Sequence, residues 1–410
     1  MTVIVVGAGA AGLIAAGTAA QYADNVILIE KNNKVGKKLR ITGKGRCNIT
    51  NACEIEDMIS MYPVNGKFLY SALYTFSNND IVDLLNTLGV ETKVERGGRV
   101  FPVSDDARDV VDAMRRYALK KNVKLIKATV KELLTEDGRI TGVTTSQGRI
   151  KGDRVIICTG GASYPQTGSD GAGYTLAKKV GHTIIEPTPS LVPLCCEESF
   201  CGDIMGLSLK NVEVTAYNSK NKKIHSGFGE MLFTHFGVSG PLILSLSAHI
   251  KKELSKGVYI KIDLKPALDE QQLDSRILRD FDKQKNKHLI NALDGLLTKA
   301  LIPVIISVSD IDPHKSVCEI TREERKRLIN SLKGFTLNIT GFRPLSEAII
   351  TSGGIKVSEI NSSTMESKLI SVLYFAGEVI DVDGYTGGYN LQVAWSTGYL
   401  AGLNAATENN

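Results

Sequence analysis

The sequence predicts an α/β fold in which a dinucleotide-binding domain is interrupted by a second, β-rich module. Three observations carry this. A β-branched run, Thr2–Val6, opens into the glycine turn of residues 7–12; an all-apolar run at residues 153–161 also ends in glycines; and the chain closes with a third glycine turn and an apolar stretch, residues 377–403. Apolar runs without alternation suit strands buried on both faces of a parallel sheet, and glycine turns at their ends suit the crossing into a helix.

The first element is the strand Thr2–Val6, followed by a helix over residues 13–22 and the strand Asn25–Glu30. A polar stretch then runs to residue 51, and two amphipathic helices are expected over residues 66–75 and 79–88. Residues 97–122 read as a turn, a proline-marked bend and a helix with Asp105 as its N-cap. Residues 123–134, 140–145 and 148–151 alternate as antiparallel strands would. Three prolines in residues 187–193 mark a crossing between domains. Short strands are expected over residues 209–217 and 257–264, then a Lys-rich helical stretch over 268–333. The predicted organisation is a first domain of residues 1–190 that resumes over 337–410, with 191–336 inserted.

A chain of 410 residues with 43% hydrophobic and 23% charged residues is of ordinary globular composition. Its net charge of +5 is mild and carries no long basic run, so no stable nucleic-acid partner is expected. Residues 3–20 lack a basic leader and hold the glycine turn, which argues against a membrane segment. Seven cysteines without a CxxC pair indicate neither a disulfide framework nor a metal site, and a reducing cytoplasm is the expected compartment.

Gly7, Gly9 and Gly12, with Ala10 and Ala11 between them, form the pattern GxGxxG. The first glycine permits the turn, the second lets backbone N–H groups approach a pyrophosphate, and the third lets helix and strand pack closely. Glu30 ends the second strand, where a carboxylate accepts hydrogen bonds from a ribose diol and repels a 2′-phosphate. The following stretch crowds Lys31, Lys37, Lys38, Arg40, Lys44 and Arg46 beside the phosphate site. A solvated loop is the plainer reading of the outer lysines. In "TGKGRCN" glycines alternate with donors, as a chain wrapping an anion or a ring edge requires; Thr42, Gly43, Arg46, Cys47 and Asn48 are its candidate contacts.

"GAGAAG", the acid Glu30, "KKLRITGKGRCNITN", "GGRVFP", "CTGG", "LFTHFGVSGP" and "AGEVIDVDGYTGGYNLQVAWSTG" occur in this order along the chain. Together they resemble the aminoacetone oxidase family of FAD-dependent oxidoreductases, also called the BaiN/RdsA family. The resemblance implies an FAD-binding Rossmann-like domain of glutathione-reductase type, interrupted by a β-barrel module with a helical part. It implies one FAD held from both ends of the chain. Lys31 and Lys38 would lie near the phosphates, the Val130 backbone near adenine, and Thr159, Gly160 and Gly161 against the dinucleotide. Gly377, Glu378, Asp381 and Asp383 would approach the ribityl chain. Gly388, Tyr389, Asn390, Leu391 and Gln392 would place a helix start near the flavin N1 and C2 oxygen, where its N–H groups favour negative charge.

The implied chemistry is hydride transfer through flavin N5, with His235 and Tyr389 as candidate proton donors. A second nicotinamide fingerprint is absent, so NADH or NADPH would serve only as a transient donor. Two reactions attach to the family: reduction of an enone C=C, as in a 3-oxo bile-acid or steroid intermediate, and oxidation of a small amine such as aminoacetone by oxygen. The first is preferred, because no acid pair awaits a cationic amine. A third reading, of another class, is a flavin-binding RNA-associated or sensor protein. A small-molecule substrate, a homodimer and no metal complete the expectations.

Overall fold

The computed structural model describes residues 1–407. These fall into two compact units: Met1–Ser190 together with the chain from Pro344 onward, and Leu191–Arg343.

The first unit is built on a five-stranded sheet in the order Leu373–Phe375, Arg154–Ile157, Thr2–Val6, Asn25–Glu30, Val123–Lys127. Every pairing is parallel. Val3, Ile4 and Val5 have no exposed surface, as a central parallel strand covered on both faces should. On one side lie the helices Ala10–Ala19 and Tyr389–Ala406. They run in the same direction and nearly touch: a Cβ at Gly398 would stand 2.5 Å from the Ala11 carbonyl oxygen, and one at Gly402 2.5 Å from that of Ala15. Only glycine permits this backbone approach. From Gly398 back to Tyr389 is nine residues, so at 1.5 Å per residue the later helix starts roughly 14 Å beyond the crossing. Trp395, fully buried on that helix, donates its indole N–H to the Ile49 carbonyl at 3.0 Å.

Smaller antiparallel sheets surround this core. One pairs Ile184–Ser190 with Ile350–Ile355, one joins Thr50–Asn51, Arg99–Pro102 and Thr92–Glu95, and one joins Val130–Glu136, Arg139–Thr145 and Gly148–Lys151. Two expectations are corrected here. Residues 123–134 are not one antiparallel strand: Val123–Lys127 extends the parallel sheet, and a new strand begins at Val130. The N-cap of the helix Ala107–Ala118 is Asp106, whose carboxylate accepts the Arg108 N–H at 2.8 Å; Asp105 has a left-handed φ of 55° and binds Lys93 and Arg46 instead.

The second unit is a closed barrel in the order Leu194–Cys196, Gly237–Ser239, Lys223–Thr234, Ser208–Asn218, Val258–Asp263, Phe335–Phe342, with the last strand pairing back to the first. Inward residues such as Val214, Ala216, Phe233, Ile260 and Ile262 are fully buried, alternating with polar outward ones. The helices Glu270–Asp282, Ile302–Val308 and Arg322–Lys333 bury Leu273, Ile305, Leu328 and Leu332 beside it. Because Phe335–Phe342 is a barrel strand, the chain rejoins the first unit at Pro344, not at the residue 337 read from the sequence.

Candidate functional site

The glycine turn leaves Thr2–Val6 with Gly7 at φ 97°, its N–H donated to the Ile29 carbonyl at 2.8 Å. A Cβ at Gly12 would lie 1.7 Å from the Gly7 carbonyl oxygen, so the helix can start here only on glycine. Gly9 has open space where a side chain would go, and no side chain caps the helix that it begins. The N–H groups of the first turn, Ala10 to Gly12, therefore face a cradle suited to phosphate oxygens. Glu30, 9% exposed, holds the turn: its carboxylate accepts the Ala8 N–H at 2.8 Å and both the backbone and side-chain N–H of Asn32 at 2.8 Å.

The basic stretch divides its work. Lys31 pairs with Asp170 at 2.7 Å, and Lys38 reaches Glu378 at 2.6 Å and the Ser163 hydroxyl at 2.7 Å. Arg46 is bound by Glu95 and Asp105 and lies 4.1 Å over the Phe101 ring, so its side chain braces the loop. Thr42 turns its hydroxyl back to the Leu39 carbonyl at 2.7 Å. Gly43, Lys44, Gly45 and Cys47 all take left-handed backbone angles, the tight winding that the alternating glycines foreshadow. Cys47 is fully buried, and burial pushes its thiol up to about 12, so it stays protonated and unreactive at neutral pH.

Asn48 begins a segment that supports the other glycine turn. With its amide oriented to satisfy its neighbours, Asn48 accepts the Gly388 N–H at 3.0 Å and donates to the Thr50 and Val100 carbonyls. The Thr50 backbone passes so close that a Cβ at Gly388 would meet its carbonyl oxygen at 2.3 Å. Asn51 donates to the Gly387 carbonyl at 3.1 Å. Gly388, at φ 102°, is the N-cap of Tyr389–Ala406 and offers no side-chain cap. Asn390 folds the turn: its oxygen accepts the Gly384 N–H at 2.9 Å and its nitrogen donates to the Gly384 and Tyr385 carbonyls at 2.8 and 3.2 Å. Leu391 is half-buried in the first turn. Gln392 points inward, bonded to Thr50 and Ser396, and has no exposed surface.

The Gly377 N–H is held by the Thr397 hydroxyl at 2.9 Å. Glu378, next along, also accepts from Ser163 at 3.0 Å and from the Thr351 N–H at 2.9 Å. Asp381 and Asp383 are buried; Asn65 donates to the first at 3.0 Å and Ser190 to the second at 2.9 Å. Val130 is buried at the start of its strand. The Thr159 hydroxyl is buried without a partner, Gly160 is left-handed, and a Cβ at Gly161 would strike the Thr351 hydroxyl at 2.5 Å.

Tyr389 is 9% exposed and stands edge-on to Tyr62, with ring centroids 6.2 Å apart. Burial above all, then Cys53, raises its phenol to about 12, so it remains a donor throughout the physiological range. His235 belongs to the second unit, exposed in the turn after Lys223–Thr234. Ser163, Thr351, Asn65, Tyr62, Thr50 and Asn51 were missed in the sequence. Only Thr50 and Asn51 had a signal, lying within the quoted "CNITN".

Two helix starts left open on parallel axes, one beside each glycine turn, fit an extended ligand better than a compact one. The fold is shared with flavoenzymes: 3-ketosteroid delta1-dehydrogenase from Sterolibacterium denitrificans, with 14% identity, aligns over 99% of each chain with a TM-score of 0.53. The fold is thus that of FAD-binding Rossmann-type proteins. Residues 1–404 match the family described as HI0933-like protein Rossmann domain, and the chain belongs to that family. Among its relatives, the 3-dehydro-bile acid delta(4,6)-reductase of Clostridium scindens is 32% identical over 98% of both chains. The ribosomal RNA dihydrouridine synthase of Haemophilus influenzae is 31% identical over 99% of this chain and 98% of its own.

Proposed function

We propose that this protein binds one FAD along the first unit and reduces a carbon–carbon double bond conjugated to a carbonyl. The observation that carries the reading is the pair of open helix starts, at Ala10 and Tyr389, set in parallel by Gly398 and Gly402. Gly9 to Gly12 would receive the pyrophosphate, Glu30 the adenosine ribose, and Gly388 to Leu391 the ring. FAD, when bound, supplies two-electron transfer to a substrate carbon. The chain's own residues position it: Lys38 and Ser163 fix Glu378, and Asn390 fixes the turn before Tyr389. The Tyr389 phenol, kept protonated by burial, is the candidate proton donor of this unit.

Two substrates fit one chemistry. In a 3-dehydro-Δ4 steroid the double bond is conjugated to the C3 ketone, and in uracil the C5=C6 bond is conjugated to the C4 carbonyl. Each accepts electrons at the carbon remote from the carbonyl and a proton at the other. The full-length similarity to the bile-acid reductase favours the steroid enone; the equally long similarity to the dihydrouridine synthase supports the uracil base as a second reading. The two differ in what the rest of the molecule must do, since an RNA requires a docking surface and a small enone does not.

Anaerobic spectroscopy separates them. The flavin band near 450 nm should bleach with NADH or NADPH and recover on adding a Δ4-3-ketosteroid or a uridine-containing RNA. Bleaching by aminoacetone alone, with peroxide on re-aeration, contradicts the proposal.

A further inference from the structure

The outer face of the barrel carries a row of groups that the flavin chemistry leaves unexplained. Tyr217 on Ser208–Asn218 pairs with Tyr259 on Val258–Asp263 and, on its other side, with Lys223. The two half-buried phenol rings stack, with centroids 5.3 Å apart and planes 14° from parallel. Lys261, one rung along, places its ammonium 5.6 and 5.9 Å from the ring centroids. The hairpin tip beside them carries Lys220 and Lys222. It is fixed in place: the Asn218 side chain accepts both of their backbone N–H groups at 3.0 Å, and the Tyr259 hydroxyl donates to Asn221 at 2.8 Å.

Lys220, Lys222, Lys223 and Lys261 are exposed, and none joins an ion pair among the described residues. Four other lysines of this unit do join ion pairs, Lys256 with Glu253, Lys285 with Asp282, Lys315 with Glu324 and Lys333 with Asp263. The acid on the same strand face, Glu213, is taken by the Ser226 hydroxyl at 2.6 Å. Four uncompensated cations around a rigid aromatic pair form a surface complementary to a polyanion with flat, stackable groups.

We infer that this face docks single-stranded RNA, bases stacking on Tyr217 and Tyr259 while the four lysines meet successive phosphates. The inference rests on the second reading above and gives it a place on the molecule. Stacking on tyrosines is tolerant of sequence, and phosphate contacts make the affinity fall with salt. With four phosphates neutralised, the slope of log affinity against log salt should be about −3.

The test is fluorescence anisotropy of a labelled single-stranded oligouridine with the full chain across a salt series. Y217A/Y259A should weaken binding about ten- to hundred-fold, Y217F/Y259F should restore it, and K220A/K222A/K223A should make the slope shallower by about 2. Thermal melting and flavin absorbance of each variant confirm an intact fold. Wild-type affinity in Y217A/Y259A overturns the docking face and leaves the RNA reading standing. No binding by the wild type overturns both.

Discussion

The Glu30 carboxylate accepts the Ala8 N–H at 2.8 Å, tying the end of the second strand to the middle of the glycine turn. The same carboxylate takes two N–H groups of Asn32. An acid at this position thus shapes the cradle in which we propose the cofactor lies. Hydrogen bonds to a charged group are worth about 1.5–3 kcal/mol each, so E30A should weaken FAD binding about ten- to hundred-fold. E30Q, which keeps one acceptor, should lose less. Quenching of flavin fluorescence measures both; unchanged affinity in E30A would contradict the assignment.

The Gly398 and Gly402 contacts set the spacing of the two helix starts. A methyl group at either position would meet backbone, which cannot move aside. G398A and G402A should each destabilise the protein by about 1–3 kcal/mol and lower flavin content more than a surface substitution of equal stability cost. Urea denaturation, read beside the absorbance at 450 nm, checks this.

Asn390 makes three hydrogen bonds to the turn that precedes its helix. N390A should open that turn and cost about 1–3 kcal/mol. Its near-ultraviolet and flavin spectra should change together. A variant with an unaltered flavin spectrum would remove this turn from the ring site.

His182 supplies a pH dependence. It is 2% exposed, bonded to Ser367 at 2.9 Å, with Nδ1 3.3 Å from Glu359. Burial, the larger effect, lowers its pKa below 6.5, and Glu359 only partly offsets this. The unfolded chain therefore binds the proton more readily. Stability from this group is full above about 6.5 and falls as the pH drops through that value towards the folded pKa. His225 and His249 are shifted the same way in the second unit. Melting temperature should decline from pH 7 to pH 5, and H182Q should decline less steeply than the wild type.

The fold class was legible because its signals are local: the unbroken apolar strand Thr2–Val6, the forced glycines Gly7 and Gly12, and Glu30 at the strand end. The barrel was harder. Lys223–Thr234 contains Gly227 and Gly229 and a register shift opposite Ala216 and Tyr217, which blur its alternation. Residues 123–134 ran together because two strands of different sheets follow each other with only two residues between them. Side-chain destinations were legible only in part. "GKGRCN" announces a tightly wound loop, but nothing near Arg46 says that Glu95 and Asp105 will take its charge. Lys38 and Glu378 are 340 residues apart, and no local pattern records their pairing.

We propose one FAD held by both ends of the chain in the first unit. A crystal structure of the FAD-loaded protein tests it most directly. One dinucleotide is expected, with its phosphates at Gly9 to Gly12 and its ring at Gly388 to Leu391. A cofactor touching only one of these turns, or none at all under saturating FAD, would contradict it.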